Sequence, residues 1–169
     1  MRLLLRHLFA VLVLPCTVMG VVPLCIARSY GLAACVAASP AARVLQAGGL
    51  LVMAAGLSLA AACVRRFASD GRGTLAPWDP PSRFVVQGPY QYVRNPMIAG
   101  VIGVLFGEAC VLRAAPLLVW TLAFTALNAV YIPLVEEPQL ARRFGGAYET
   151  YRRHVRRFVP RLTAWRGEP

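Results

Sequence analysis

Residues 97–135 read MIAGVIGVLFGEACVLRAAPLLVWTLAFTALNAVYIPLV. Residues 97–112 form a 16-residue apolar run with one acid, Glu108, and residues 114–135 form a second run of 22 residues without a charge. As an α-helix the second run is long enough to cross a bilayer, whereas the first would be about 24 Å long. The short polar break at Arg113 therefore predicts a tight helical hairpin.

Two further apolar runs precede this hairpin. Residues 8–27 and 44–64 contain no charged side chain, over 20 and 21 residues respectively. A soluble protein that buried the hairpin is the alternative, but a chain that is 58% hydrophobic has too little polar sequence to cover such a core. We therefore expect an all-α polytopic membrane protein with four transmembrane helices at 8–27, 44–64, 97–112 and 114–135. The first run also resembles a signal peptide, but its length favours a helix that stays in the membrane.

The arginines predict the orientation of the chain. All 18 basic residues are Arg, and a cytoplasmic N-terminus places 15 of them on the cytoplasmic side and 3 outside. We expect both termini and the functional site to face the cytoplasm, as in a bacterial inner-membrane protein. The net charge of +11 then indicates contact with anionic membrane lipid. Outside the membrane-flanking segments there is no basic patch interleaved with aromatic residues, so we do not expect nucleic acid as a partner.

The polar segments are a cytoplasmic cap loop at 65–96 and a basic tail. Apolar residues in the tail recur at helical spacing and predict an interfacial amphipathic helix over 136–160, interrupted at Gly145-Gly146. Tyr148 and Tyr151 belong to this stripe, and packing is the preferred interpretation for both. The five cysteines and two histidines show no ligand spacing, so we expect no metal site.

Two polar blocks frame the hairpin. Gly-Pro-Tyr-Gln-Tyr-Val-Arg-Asn-Pro-Met at residues 88–97 precedes it, and Glu136-Glu137 follows it. Adjacent carboxylates at the edge of the hydrocarbon are costly unless they bind something. Arg94 is suited to gripping a carboxylate, and Pro96 at the first turn leaves backbone N–H groups pointing outward. Together the blocks predict a site for a polar ligand.

The same two blocks resemble the isoprenylcysteine carboxyl methyltransferase and phospholipid N-methyltransferase superfamily over about residues 45–160. The resemblance implies a membrane methyltransferase that uses S-adenosylmethionine on a lipid-like or hydrophobic acceptor, and it names no catalytic residue. The cofactor-binding residues that it implies are Ala55, Gly56, Tyr90, Arg94, Asn95, Pro96, Met97, Gly100, Glu136 and Glu137. The chain departs from the family pattern at Asn95, where His is frequent, and at Ile98, where Tyr is usual.

Structural roles compete with binding at several of these residues. Gly56 also suits small-residue helix packing, and Arg94 also suits a positively charged membrane anchor. Glu136 and Glu137 also suit ion pairs with Arg142 or Arg143. Two other functions stay open: a non-catalytic membrane protein on the same scaffold, and a sterol-type membrane reductase that uses a nicotinamide cofactor.

The arginine asymmetry gives a testable topology. Single cysteines placed in the loop at 29–40 should react with a membrane-impermeant thiol reagent added from outside, and cysteines in the loop at 70–82 should not. The reverse pattern would contradict the orientation.

Overall fold

The protein is described by a computed structural model covering residues 15–32, 39–66, 69, 84 and 86–167. Regular structure within these ranges is helical throughout, with no strand. Residues 8–14 of the predicted helix at 8–27 and most of the cap loop lie outside the described residues.

Five helices form the described part of the chain. They are α1 (Thr17–Ser29), α2 (Pro40–Arg66), α3 (Pro96–Leu112), α4 (Ala115–Phe144) and α5 (Gly146–His154). A short 3-10 turn, Gly88–Gln91, precedes α3. The helix α4 is continuous but contains a wider π-helical turn at Ile132–Glu136, which ends at the first residue of the carboxylate pair.

Two of these helices, α2 and α4, are long and apolar enough to cross a membrane. Their outer faces carry large exposed apolar side chains, such as Leu51 at 73% and Leu127 at 65% exposure. A water-soluble protein would bury most of such a surface, whereas lipid solvates it. The two other apolar helices, α1 and α3, are shorter, so the count of four spans stays a prediction.

The helices α2 and α3 pack through glycines. A Cβ added to Gly56 would lie 2.6 Å from the backbone oxygen of Gly100, and a Cβ on Gly107 would lie 2.6 Å from the oxygen of Gly49. No side chain fits at such distances, so the two backbones touch directly. This close contact fixes α3, and with it the polar block that leads into α3.

The hairpin turn has the predicted position. Arg113 adopts a left-handed conformation with φ of 52°, and Pro116 lies in the first turn of α4. Ala109, Ala114 and Leu117 pack together beneath the turn. The carboxyl end of α4 is thereby returned to the same side of the bundle as the start of α3, because the two helices run in opposite directions.

The tail is folded back onto the cap loop. Gly145, with φ of +55°, separates α4 from α5, as the Gly145-Gly146 pair predicted. The helix then ends at His154, whereas the sequence pattern predicted it to continue to residue 160. Residues 155–167 have no helix, and their backbone runs beside residues 91–94 through hydrogen bonds from Arg94 to Arg156, from Arg161 to Tyr92 and from Trp165 to Gln91.

Most of the apolar stripe of the tail packs into a small aromatic core. Its buried members are Val86, Tyr148, Tyr151, Val155 and Trp165, with Phe84 packed against them. The rings of Phe84 and Tyr151 meet edge to face, with centroids 5.2 Å apart. Packing is therefore the role of both tyrosines, as expected.

The glycine contact yields a matched pair of variants. Gly56→Ala should destabilise the protein by ~1–3 kcal/mol, because its methyl group meets backbone that cannot move aside cheaply. Gly48→Ala adds the same methyl where nothing lies within 4 Å, so its stability should be unchanged or slightly higher. Unfolding of both variants in detergent makes the comparison. Equal stability would show that α2 and α3 are not in backbone contact.

Candidate functional site

Arg94 lies between the 3-10 turn and α3, where the tail holds its backbone in place. Its backbone N–H donates to the carbonyl oxygen of Arg156 at 3.0 Å. The side-chain amide of Asn95 donates to the carbonyl oxygen of Arg157 at 3.3 Å. The loop before α3 is thus fixed by two hydrogen bonds from one part of the tail.

Glu137 is the centre of an ion-pair cluster with Arg94 and Arg157. Its Oε1 lies 2.9 Å from Nη1 of Arg94 and 2.6 Å from Nε of Arg157. Its Oε2 accepts a hydrogen bond from Nη2 of Arg157 at 2.7 Å. The Arg157 contact is therefore a bidentate pair, the strongest form of arginine–carboxylate contact. We refer to Arg94, Glu137 and Arg157 as the charge triad.

Burial makes the charge triad structurally important. Glu137 is 6% exposed, and a buried carboxylate without partners would be strongly destabilising. The hydrogen bond with Glu137 in turn raises the pKa of Arg157 above its ordinary value, so the pair stays ionised. Glu137 pairs with Arg94 and Arg157, not with Arg142 or Arg143, which the sequence suggested as partners.

Arg157 was not among the expected site residues. It is one of eight arginines in the tail, and nothing in its immediate sequence separates it from Arg156 or Arg153. The end of α5 at His154 is what turns this segment back toward Arg94. A helix continuing through residue 157 would have placed the side chain elsewhere.

Arg94 is more than an exposed anchor. Its side chain is 12% exposed, and Nη1 lies 3.5 Å from the hydroxyl oxygen of Tyr148 as well as close to Glu137. Its Nε atom is buried and has no hydrogen-bond acceptor among the described residues. An unpaired buried N–H is costly, and an oxygen atom of a ligand placed there would satisfy it.

Glu136 occupies a different environment from its neighbour. It is partly buried at the end of the π-helical turn, and no arginine of the described segments forms an ion pair with it. Its surroundings include Tyr90: burial raises the pKa of the Tyr90 hydroxyl well above its usual value, and the nearby Cys63 and Glu136 raise it further. The Tyr90 hydroxyl therefore stays protonated.

Tyr90 belongs to a compact group at the end of α2. It packs with the fully buried Cys63, and Leu59 and Met97 pack against this pair. The backbone oxygen of Tyr90 accepts a 2.7 Å hydrogen bond from the hydroxyl of Tyr151. The site thus has an apolar and aromatic wall near Glu136.

The glycines that were expected to contact a ligand lie in the contact between α2 and α3. A Cβ on Gly56 would meet the backbone of Gly100, and a Cβ on Gly100 would meet the backbone of Gly56. Ala55 is exposed on the outer face of α2. Pro96 is fully buried in the first turn of α3. Asn95 does not cap this helix through its side chain, so the N–H groups of the first turn are not satisfied in that way.

The arrangement is suited to a ligand that carries both anionic and cationic or hydroxyl groups. The Nε–H of Arg94 offers a donor to an anion, and Glu136 offers acceptors to an ammonium or a diol. Within the described part of the chain, no group of three or more His, Cys, Asp or Glu side chains lies close enough to hold a metal ion.

Comparison with known proteins identifies the family of this chain. The family model for phospholipid methyltransferase matches residues 44–147, which include nearly all of α2, all of α3 and α4, and both carboxylates. Neither the curated proteins nor the solved structures gave a significant match. Arg157 lies beyond the matched residues, although it completes the charge triad. The chain belongs to the phospholipid methyltransferase family, and this membership together with the two apolar helices indicates an integral membrane protein.

Proposed function

We propose that the protein transfers a methyl group from S-adenosylmethionine to a lipid-like or hydrophobic acceptor in the membrane. The observation that carries this proposal is the buried Nε–H of Arg94, which has no hydrogen-bond acceptor among the described residues. It lies beside a carboxylate pair, in a chain of the phospholipid methyltransferase family.

The residues present fit the cofactor. S-adenosylmethionine carries an α-carboxylate, an α-ammonium and a ribose diol. Arg94 would donate from Nε to the carboxylate, and Glu136 would accept hydrogen bonds from the ammonium or the diol. Tyr90 and Met97 would provide the apolar wall, and the Asn95-Pro96 turn would present the first N–H groups of α3.

Glu137 would act as a positioning residue. Both of its oxygen atoms are already engaged by Arg157, and one of them also by Arg94. It would therefore hold the Arg94 guanidinium in one orientation and leave binding to Glu136. We do not propose that Ala55, Gly56 and Gly100 contact the cofactor. The two glycines pack against the backbone of the opposite helix, and Ala55 faces outward.

Little further chemistry is required of the protein. The bound cofactor supplies a methyl group that is already activated by its sulfonium. Alignment of the acceptor atom with that methyl then provides most of the rate. An acceptor delivered from the bilayer would reach the site without crossing water. A carboxylate acceptor would need no general base, whereas an amine would first have to lose a proton.

Glu136 should bind the cofactor directly. Glu136→Gln should weaken S-adenosylmethionine binding by ~1–3 kcal/mol, because a charged hydrogen bond is lost. Isothermal titration of the purified protein in detergent measures this. Glu149→Gln, which removes an exposed acid paired with Arg152, is the matched control and should bind normally.

The same titration separates the other candidate functions. Reduced nicotinamide dinucleotide should not bind to the wild-type protein, and its binding in place of S-adenosylmethionine would indicate a reductase. Binding of neither compound would indicate a non-catalytic protein. Unchanged affinity of Glu136→Gln would remove this residue from the site.

Arg94 should not be replaceable by lysine. Arg94→Lys keeps the positive charge but lacks the planar fork, which pairs with Glu137 and presents Nε at the same time. Its affinity for S-adenosylhomocysteine should fall by roughly tenfold or more, the equivalent of ~1.4 kcal/mol. Arg152→Lys, at an exposed surface pair, should keep wild-type affinity. If both variants bound S-adenosylhomocysteine equally well, Arg94 would not bind the cofactor and would only help to set the membrane topology.

A further inference from the structure

The non-helical tail segment, residues 155–167, exposes a cluster of large apolar side chains. Phe158 is 49% exposed, Val159 56% and Leu162 101%. Single exposed apolar residues are common on proteins, but three within five positions form a patch that water solvates poorly.

The exposure does not come from a loosely attached end. Val155 and Trp165 bracket the patch, and both are buried in the aromatic core. Between them, the backbone N–H of Arg161 donates to Tyr92 at 2.9 Å. The inner side of the segment is therefore anchored, and the apolar side chains are held outward.

The patch lies close to the start of the apolar helix α3. The segment runs beside residues 91–94, which lead directly into α3, one of the apolar helices. Tyr92 in this stretch is itself 40% exposed. The patch therefore lies near the start of α3, and with α3 in the membrane as predicted it would lie where hydrocarbon gives way to headgroups.

The charges around the patch are almost all positive. Exposed arginines flank it on both sides, at Arg152, Arg153, Arg156 and Arg166. Glu149 is the one acidic side chain of α5, and it pairs with Arg152. Apolar side chains flanked by exposed arginines complement an anionic lipid surface better than a neutral or protein surface.

We propose that residues 155–167 form a docking surface for anionic phospholipid, with Phe158, Val159 and Leu162 inserted at the boundary between headgroups and acyl chains. The same segment supplies Arg157 to the charge triad, and the Arg157 guanidinium also lies 6.0 Å from the ring centroid of Phe158. Lipid contact would therefore steady the segment that completes the triad. This surface does not depend on the proposed methyltransferase activity.

Quenching by brominated lipids tests the proposal without any cofactor. The full-length protein carrying Leu162→Trp is reconstituted in bilayers with acyl-chain bromine, either zwitterionic or with added phosphatidylglycerol. Its fluorescence loss is compared with that of the parent protein, whose three tryptophans give the background. Thr150→Trp, at an exposed polar position of α5, is the control.

Leu162→Trp should add a quenched component that grows with the anionic lipid, and Thr150→Trp should add an unquenched one. The double variant Arg156→Gln/Arg166→Gln, made in the Leu162→Trp protein, should reduce the effect of anionic lipid by about half, because two of the flanking charges are gone. Absence of extra quenching, which a covering protein or second copy would produce, would overturn the proposal. So would equal quenching in both bilayers.

Discussion

One buried carboxylate, that of Glu137, holds the polar end of this membrane protein together. It pairs with Arg94 before α3 and with Arg157 in the tail, while itself belonging to α4. Because a buried charge is tolerated only when it is paired, these three segments must meet for the fold to be stable. The same contact between the segment before α3 and the tail includes the hydrogen bonds from Arg94 to Arg156 and from Asn95 to Arg157. The close glycine contact of α2 with α3 then fixes the distance between this cluster and the apolar helices.

Two adjacent carboxylates thereby acquire different roles. Glu137 is saturated by arginine, whereas Glu136 lies near Tyr90 without an ion pair in the described part of the chain. The π-helical turn at Ile132–Glu136 ends at Glu136, so Glu137 begins the following α-helical turn. In our account Glu137 positions Arg94, and Glu136 together with the Nε–H of Arg94 remains available to a ligand. A methyl donor with one carboxylate and several donor groups would match this division, and the membrane would supply the acceptor.

Much of this arrangement was predictable from local sequence. The apolar runs gave the hairpin, Gly145 gave the break after α4, and the positions of Arg94 and the glutamates suggested that they approach each other. The role of Arg157 was not predictable, because it depends on α5 ending at His154 and on a long-range return of the chain. The interpretation of Gly56 was open for a similar reason: a small residue permits either a ligand or a helix, and only the packing of α3 decides. The helical period of the tail holds as far as His154, and Tyr148 and Tyr151 of that stripe pack in the aromatic core.

The most direct test of this account is a double-mutant cycle on Glu137→Gln and Arg157→Gln, with the free energy of unfolding measured in detergent. Because Arg157 is about a third exposed, we expect a coupling energy of about 1–2 kcal/mol, in the middle of the range for contacting charged groups. The double variant would then be clearly more stable than the sum of the single effects implies. Strictly additive effects would contradict the account, because they would mean that Glu137 and Arg157 contribute independently and that the tail does not complete the site.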